Sequence, residues 1–191
     1  MESLRNFFQS LSPITNEAWE DAQKLFKPAT LKKEEYFCTE GKVSKDFAFL
    51  VSGIVRGFYR TQKGTEYNKH FFTPSSIIGG YTSLITGSPN QVIQQALTDC
   101  EILTANYSAF VNLYNAHPSL ERAGRLFAER YFVQKEQKEL EIIMLDAGQR
   151  YKLFKTTYPG LEQLIPQYHI ASYLGISATQ LSRIRAKLVK Q

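Results

Sequence analysis

The chain has 191 residues, 43% of them apolar, and a formal net charge of +5, which suits one large packed domain or two small ones. No apolar run approaches the roughly 18–20 residues that span a bilayer, and "MESLRNFFQSLSPITNEAW" lacks the basic start and long apolar stretch of a secretory leader, so the expectation is a cytoplasmic protein with no membrane partner. The only two cysteines, Cys38 and Cys100, exclude a disulfide framework and a four-cysteine iron–sulfur cluster, and read as free thiols.

Residues 1–27 carry apolar groups at helical spacing. Leu4, Phe7, Phe8 and Leu11 form one short face. After Pro13, Thr15 can cap a second helix through Trp19, Ala22, Leu25 and Phe26, which Pro28 is expected to stop. From about Ala29 to Ser108 the texture becomes β-rich: "EYFCTEG", "FAFLVSGIVRGFYR", "EYNKHFF", "QVIQQAL" and "CEILTANY", punctuated by glycine and proline. Such spacing reads as an antiparallel sandwich or barrel, of which a jelly roll is one form. Gly64 sits where the turn of "RTQKGTEY" needs positive φ.

After His117-Pro118 the sequence runs to Asp146 with Gly124 as its only breaker, and Leu126, Val133 and Leu140 recur seven apart. The reading is one long helix of roughly 40 Å, a spine that pairs with its copy in a homodimer or packs along the β domain. Residues 147–191 then hold Arg150, Lys152, Lys155, Arg183, Arg185, Lys187 and Lys190 against Glu162 alone, a net of +6 beside −1 for residues 1–146. A basic end on a near-neutral body points to a polyanion partner; a solvated terminal helix is the bland alternative.

The stretch "HIASYLGISATQLSRIRAKL" sharpens that reading. Ile170, Leu174, Ile176, Leu181, Ile184 and Leu188 supply two apolar faces, Ala171 allows a close crossing, Gly175 can end the first helix, and Ser177 can cap the second. These offsets make a helix-turn-helix, with an αα-hairpin in a helical core as the alternative. A second helix from about Ala178 leaves Thr179, Gln180, Ser182, Arg183, Ala186 and Lys187 to solvent. Arg183 suits guanine and Gln180 adenine. Ser177, Arg185, Lys187 and the first helix's N-terminus near Gln167 and Tyr168 suit phosphates of double-stranded DNA.

Enzymatic rivals lack residues. His70, His117 and His169 lie in three different regions without shared ligand spacing, and no Ser/His/Asp or Cys/His set is visible. The expectation is no catalytic residue, no metal and no cofactor, with haem on one His–Cys pair the only alternative left open.

With those motifs in place, the whole chain resembles the Crp/Fnr-type transcription regulators. "TGSPNQVIQQALTDCEIL" is similar to the segment around that family's phosphate cassette, and "ERAGRLFAER", "PQYHIASYLGIS" and "LSRIRAKL" are similar to its short Bacteroidota-like members. The resemblance implies an α+β protein with N-terminal helices and a cyclic-nucleotide-binding-like jelly roll (1–117), a dimerisation helix (118–146) and a helix-turn-helix domain (147–191). It also implies a palindromic DNA site, RNA polymerase as a candidate contact, and a small-molecule effector.

The sequence departs from the family at three places. Where cyclic AMP-binding members carry a glutamate for the ribose and an arginine for the phosphate, this chain has Tyr81 and Asn90. The base-contacting pair of the long helix falls near Lys135 and Glu136. A buried phosphate charge without a cation is costly, so ordinary cyclic AMP binding is not expected. Tyr81, Ser83, Asn90 and Gln91 would line a pocket for another ligand, or serve only as turn and strand residues. Ala178 and Thr179 replace a charged pair in the recognition helix, so the operator should differ, and no β wing is expected after Leu188. The rival function is a ligand-sensing β-roll protein whose output is not DNA binding.

Overall fold

The computed structural model describes residues 1–189; Lys190, counted in the basic terminal charge, lies outside the described residues. Two helices open the chain, α1 (Glu2–Leu11) and α2 (Asn16–Leu25). Eight strands follow: β1 (Lys27–Leu31), β2 (Tyr36–Cys38), β3 (Asp46–Ser52), β4 (Val55–Arg60), β5 (Glu66–Phe72), β6 (Ser76–Ile78), β7 (Ile93–Ala96) and β8 (Cys100–Asn106). A short helix, α3 (Tyr81–Thr86), lies between β6 and β7. After β8 come α4 (Tyr107–Asn112), the long α5 (Pro118–Met144), α6 (Ala147–Thr157), α7 (Leu161–Leu164), α8 (Gln167–Leu174) and α9 (Ala178–Val189).

The strands form two four-stranded sheets, ordered β1-β8-β3-β6 and β2-β7-β4-β5. Period-two alternation makes the first sheet a middle layer. On β3 and β8, Phe47, Phe49, Leu103 and Ala105 face an aromatic core under the helices, with Phe8, Trp19, Phe26, Phe110 and Leu120. Ala48, Leu50, Cys100 and Ile102 face the other way, into a second core with Val55, Phe72, Ile78 and Ala96. Each fully buried ring or branched aliphatic contributes about 1.5–3 kcal/mol, so both layers are anchored by residues one position apart.

Local signals act much as read. Thr15 Oγ1 accepts from Ala18 N–H at 3.2 Å, and Gly64 has φ 81°. Pro28 behaves otherwise. The helix ends earlier, at Leu25, and Pro28 lies inside β1 opposite Leu103. β1 is an edge strand, where a residue without an N–H is tolerated. Gly124 does not break α5; a Cβ there would collide with the Tyr114 hydroxyl.

The chain forms two compact units: Met1–Phe58 with Phe71–Tyr131, and Tyr59–His70 with Phe132–Gln191. The long helix crosses from one unit to the other, and the tip of the β4–β5 hairpin groups with the C-terminal helices. The reason is hydrogen bonding. On β5, an edge strand of its sheet, Asn68 N–H donates to Ser172 Oγ at 3.0 Å, and that hydroxyl donates to the Glu66 carbonyl at 2.9 Å. One α8 side chain thus pairs two backbone groups of this edge strand.

Candidate nucleic-acid interface

The C-terminal helices are built around small, local devices. Asp146 Oδ1 accepts from Gln149 N–H at 2.8 Å while Gln149 Oε1 accepts from Asp146 N–H at 3.0 Å, a capping box that separates α6 from α5. Arg150 then closes two helix ends. Its guanidinium donates to the Leu145 carbonyl at 2.7 Å, beyond the end of α5, and to the Leu174 carbonyl at 3.1 Å, at the end of α8. Arg150 therefore belongs to the scaffold of this unit, although sequence counting placed it with the DNA-facing charge.

α8 buries His169, Ile170, Ala171 and Leu174 and leaves Gln167 and Tyr168 exposed. It ends at Gly175 with φ 68°. Ile176 N–H reaches back to the Ala171 carbonyl at 3.0 Å, the longer bond of a Schellman turn. Ser177 Oγ then accepts from Gln180 N–H at 3.1 Å, and Gln180 Oε1 accepts from Ser177 N–H at 3.0 Å. This second capping box starts α9. It gives Gln180 a structural task that the sequence reading did not assign. Bidentate adenine recognition by Gln180 requires its amide to leave the cap.

On α9, Leu181 is fully buried. Ser177, Ala178, Thr179, Gln180, Ser182, Arg183 and Lys187 are all exposed. At about 100° per residue, Arg183 lies about 200° from Leu181, on the opposite side of the helix. Arg185 lies only about 40° from Leu181 by the same count; it is half-buried, and its guanidinium is 3.6 Å from Glu162. Glu162 also accepts from the Tyr151 hydroxyl at 2.9 Å. Burial first, and this bond second, push the Tyr151 hydroxyl up to about 12, so it remains a donor at any physiological pH.

The four candidate pocket residues of the β-roll divide. Ser83 and Asn90 are buried, and both turn to Ser44: Ser44 N–H donates to Ser83 Oγ at 2.9 Å, and Asn90 Nδ2 donates to Ser44 Oγ at 2.8 Å. Tyr81, the first residue of α3, and Gln91 are exposed. Ser44, Cys38 and Gln94 complete the cluster, and sequence reading missed all three. Cys38 Sγ is 3.6 Å from both Ser44 Oγ and Gln94 Oε1, and Gln94 Nε2 donates to the Gly79 carbonyl at 3.0 Å. Burial raises the Cys38 thiol, which stays protonated. Gly80 has no room for a side chain because the Asn90 amide occupies the position of its Cβ. Beside this cluster is an open cleft of about 310 Å³, lined by Thr39, Lys42, Lys45, Asp46 and Asn90 among others. Among the described residues no group of three or more His, Cys, Asp or Glu is placed to hold a metal, and no helix is long and apolar enough to cross a membrane.

The family model of the cyclic nucleotide-binding domain matches residues 28–117. No match was found among curated proteins. Among solved structures, FixK2 from Bradyrhizobium japonicum shares 18% identity over 87% of this chain and 85% of its own, with a TM-score of 0.74. The c-di-GMP responsive global regulator CLP of Xanthomonas campestris shares 16% over 92% of both chains, with a TM-score of 0.70. The catabolite activator protein of Thermus thermophilus shares 18% over 94% of this chain and 86% of its own, with a TM-score of 0.59. Residues 28–117 thus match a cyclic nucleotide-binding domain, and the β-roll, N-terminal helices and long helix have the fold of Crp/Fnr-type regulators.

Proposed function

We propose that this protein is a sequence-specific DNA-binding transcription regulator that acts as a homodimer on a palindromic site. In this reading α8 and α9 are a helix-turn-helix, and α9 enters the major groove. One observation carries the reading: the face of α9 opposite buried Leu181 presents Thr179, Gln180, Ser182, Arg183 and Lys187 to solvent. Arg183 reads a base edge; Thr179 and Ala178 set the contacts nearest the groove floor. Ser177, Lys187, Arg185, Gln167 and Tyr168 hold phosphates. Pairing is through α5, whose C-terminal half exposes Phe132, Val133, Leu140, Ile142, Ile143 and Met144. A surface of that kind needs a partner, and a second copy supplies it with two-fold symmetry. RNA polymerase is then the partner through which a bound dimer acts on transcription.

The β-roll is the sensor part of this reading, and its effector is not cyclic AMP held in the usual way. Ser83, Ser44 and Asn90 satisfy one another, and Asn90 brings no charge to a phosphate. The open cleft beside Asn90 suits a different small molecule.

Titration of labelled duplex DNA over a salt series tests the DNA reading. A groove-binding dimer loses affinity with a log–log slope of about −0.9 for each phosphate neutralised. Arg183→Ala should cost about 1–3 kcal/mol of discrimination at one base position while leaving folding unchanged. A flat salt response, or unchanged sequence preference in the variant, contradicts the assignment.

A further inference from the structure

Glu162 is the only carboxylate in residues 147–191, and it stands against one of the cations expected on DNA. We infer that Glu162 is a specificity-determining residue: it withholds Arg185 from the DNA backbone until base-edge contacts have brought a phosphate within reach. The inference rests on the DNA-binding reading above. Three features carry it.

First, the acid is anchored and the base is not. The Glu162 side chain is 14% exposed, and one of its oxygens accepts from the hydroxyl of buried Tyr151 at 2.9 Å. The Arg185 side chain is 32% exposed and meets the other oxygen at 3.6 Å. That separation is beyond a direct hydrogen bond, so the pair is held mainly by charge. The guanidinium can exchange partners while the carboxylate stays in place.

Second, Arg185 is half-buried on α9, about 40° around the helix from Leu181 and about 160° from Arg183, so it stands nearer the packed side than the base-reading face. Helices in a major groove place bases opposite the middle of the exposed face and phosphates at its flanks.

Third, the acid's charge opposes sequence-independent binding. Neutralised phosphates supply essentially all non-specific affinity. A cation already paired adds little to it. On the correct site, contacts such as that of Arg183 fix the register, and a phosphate held at the flank competes with Glu162. Specific binding gains a contact that random DNA lacks.

Glu162→Gln tests this, since the amide still accepts from Tyr151. On a random duplex its log–log salt slope should steepen by about 0.9, one further phosphate, which is about 3.5-fold in affinity between 50 and 200 mM salt. Adding Arg185→Gln should abolish that gain. Arg185→Gln alone gives a measurement independent of any Glu162 variant. Its slope on random duplex should match the wild type, and its slope on a selected site should flatten by about 0.9. The inference is overturned if Glu162→Gln melts like the wild type yet leaves the slope unchanged, if its gain survives in the double variant, or if Arg185→Gln flattens binding to random DNA. Wild-type protein with no salt-dependent DNA binding would overturn the DNA reading itself, and this inference with it.

Discussion

Asn68 of β5 and His169 of α8 are joined by one side-chain amide. Asn68 Nδ2 donates to the His169 carbonyl at 2.9 Å and lies 3.3 Å from its ring Nδ1. Both residues are buried, and with the Ser172 bonds this seam fastens the hairpin tip to α8. Loss of a buried hydrogen-bonding group costs about 1–3 kcal/mol. Asn68→Ala should therefore lower the melting temperature of the unit by several degrees. It should also speed amide exchange in α8 before exchange in β3 or β8. Equal protection of α8 in both proteins would show that the seam does not hold the helix.

The reciprocal cap of Ser177 and Gln180 separates stability from recognition. Ser177→Ala should cost about 1 kcal/mol. Gln180→Glu keeps a residue able to complete the box but adds a negative charge to the proposed groove face. Thermal melting should stay near the wild type while DNA affinity falls severalfold. Equal DNA affinity would remove Gln180 from the interface.

Acid sensitivity should trace to His70. Desolvation, followed by the charges of Lys69 and Lys138, pushes its imidazole down to about 4; Tyr158 Oη lies 3.4 Å from its Nδ1. An unfolded histidine titrates near 6.5, so between these values the unfolded chain binds the proton and the folded one does not. Stability is then greatest above about pH 6.5 and declines as pH falls towards about 4. His70→Gln should flatten that part of the melting-temperature profile relative to the wild type. An unchanged slope would assign the acid sensitivity elsewhere.

Ile143, 79% exposed on α5, tests the pairing surface. Ile143→Glu places a charge on the proposed interface, where an unpaired buried charge is expensive. Sedimentation should show the variant largely as monomers at concentrations where the wild type is dimeric. A wild-type monomer, or a variant dimer of the same strength, would rule out this helix as the seam.

The sequence made some of these features visible and concealed others, for physical reasons. Helix ends were legible where the signal is local: Thr15, Gly175 and Ser177 act within three or four residues of themselves. The same logic was available at Asp146 and Gln149 but was hidden because the pattern of α5 runs from Arg125 to Leu145 without a glycine or proline. The strands were legible as β-rich runs punctuated by glycine and proline. Their sorting into two layers was not, because Phe47 and Ala48 are both buried and only the register shows that they face different cores. The exposed residues of α9 followed from its spacing, since one inward leucine fixes what faces out. Arg150 and Arg185 were counted simply as charge. Their partners, the Leu174 carbonyl and Glu162, lie 24 and 23 positions away along the chain, beyond any local pattern. Likewise, Ser44 meets Asn90 only because the folded roll brings the two loops together.

Selection of bound fragments from a random duplex pool by the full-length protein tests the central claim most directly. The account predicts enrichment of an inverted repeat whose half-sites are about one helical turn apart, roughly 34–36 Å, and whose preference at one position per half-site disappears with Arg183→Ala. A pool that stays random after repeated rounds, or an enriched motif that Arg183→Ala recovers unchanged, would contradict it.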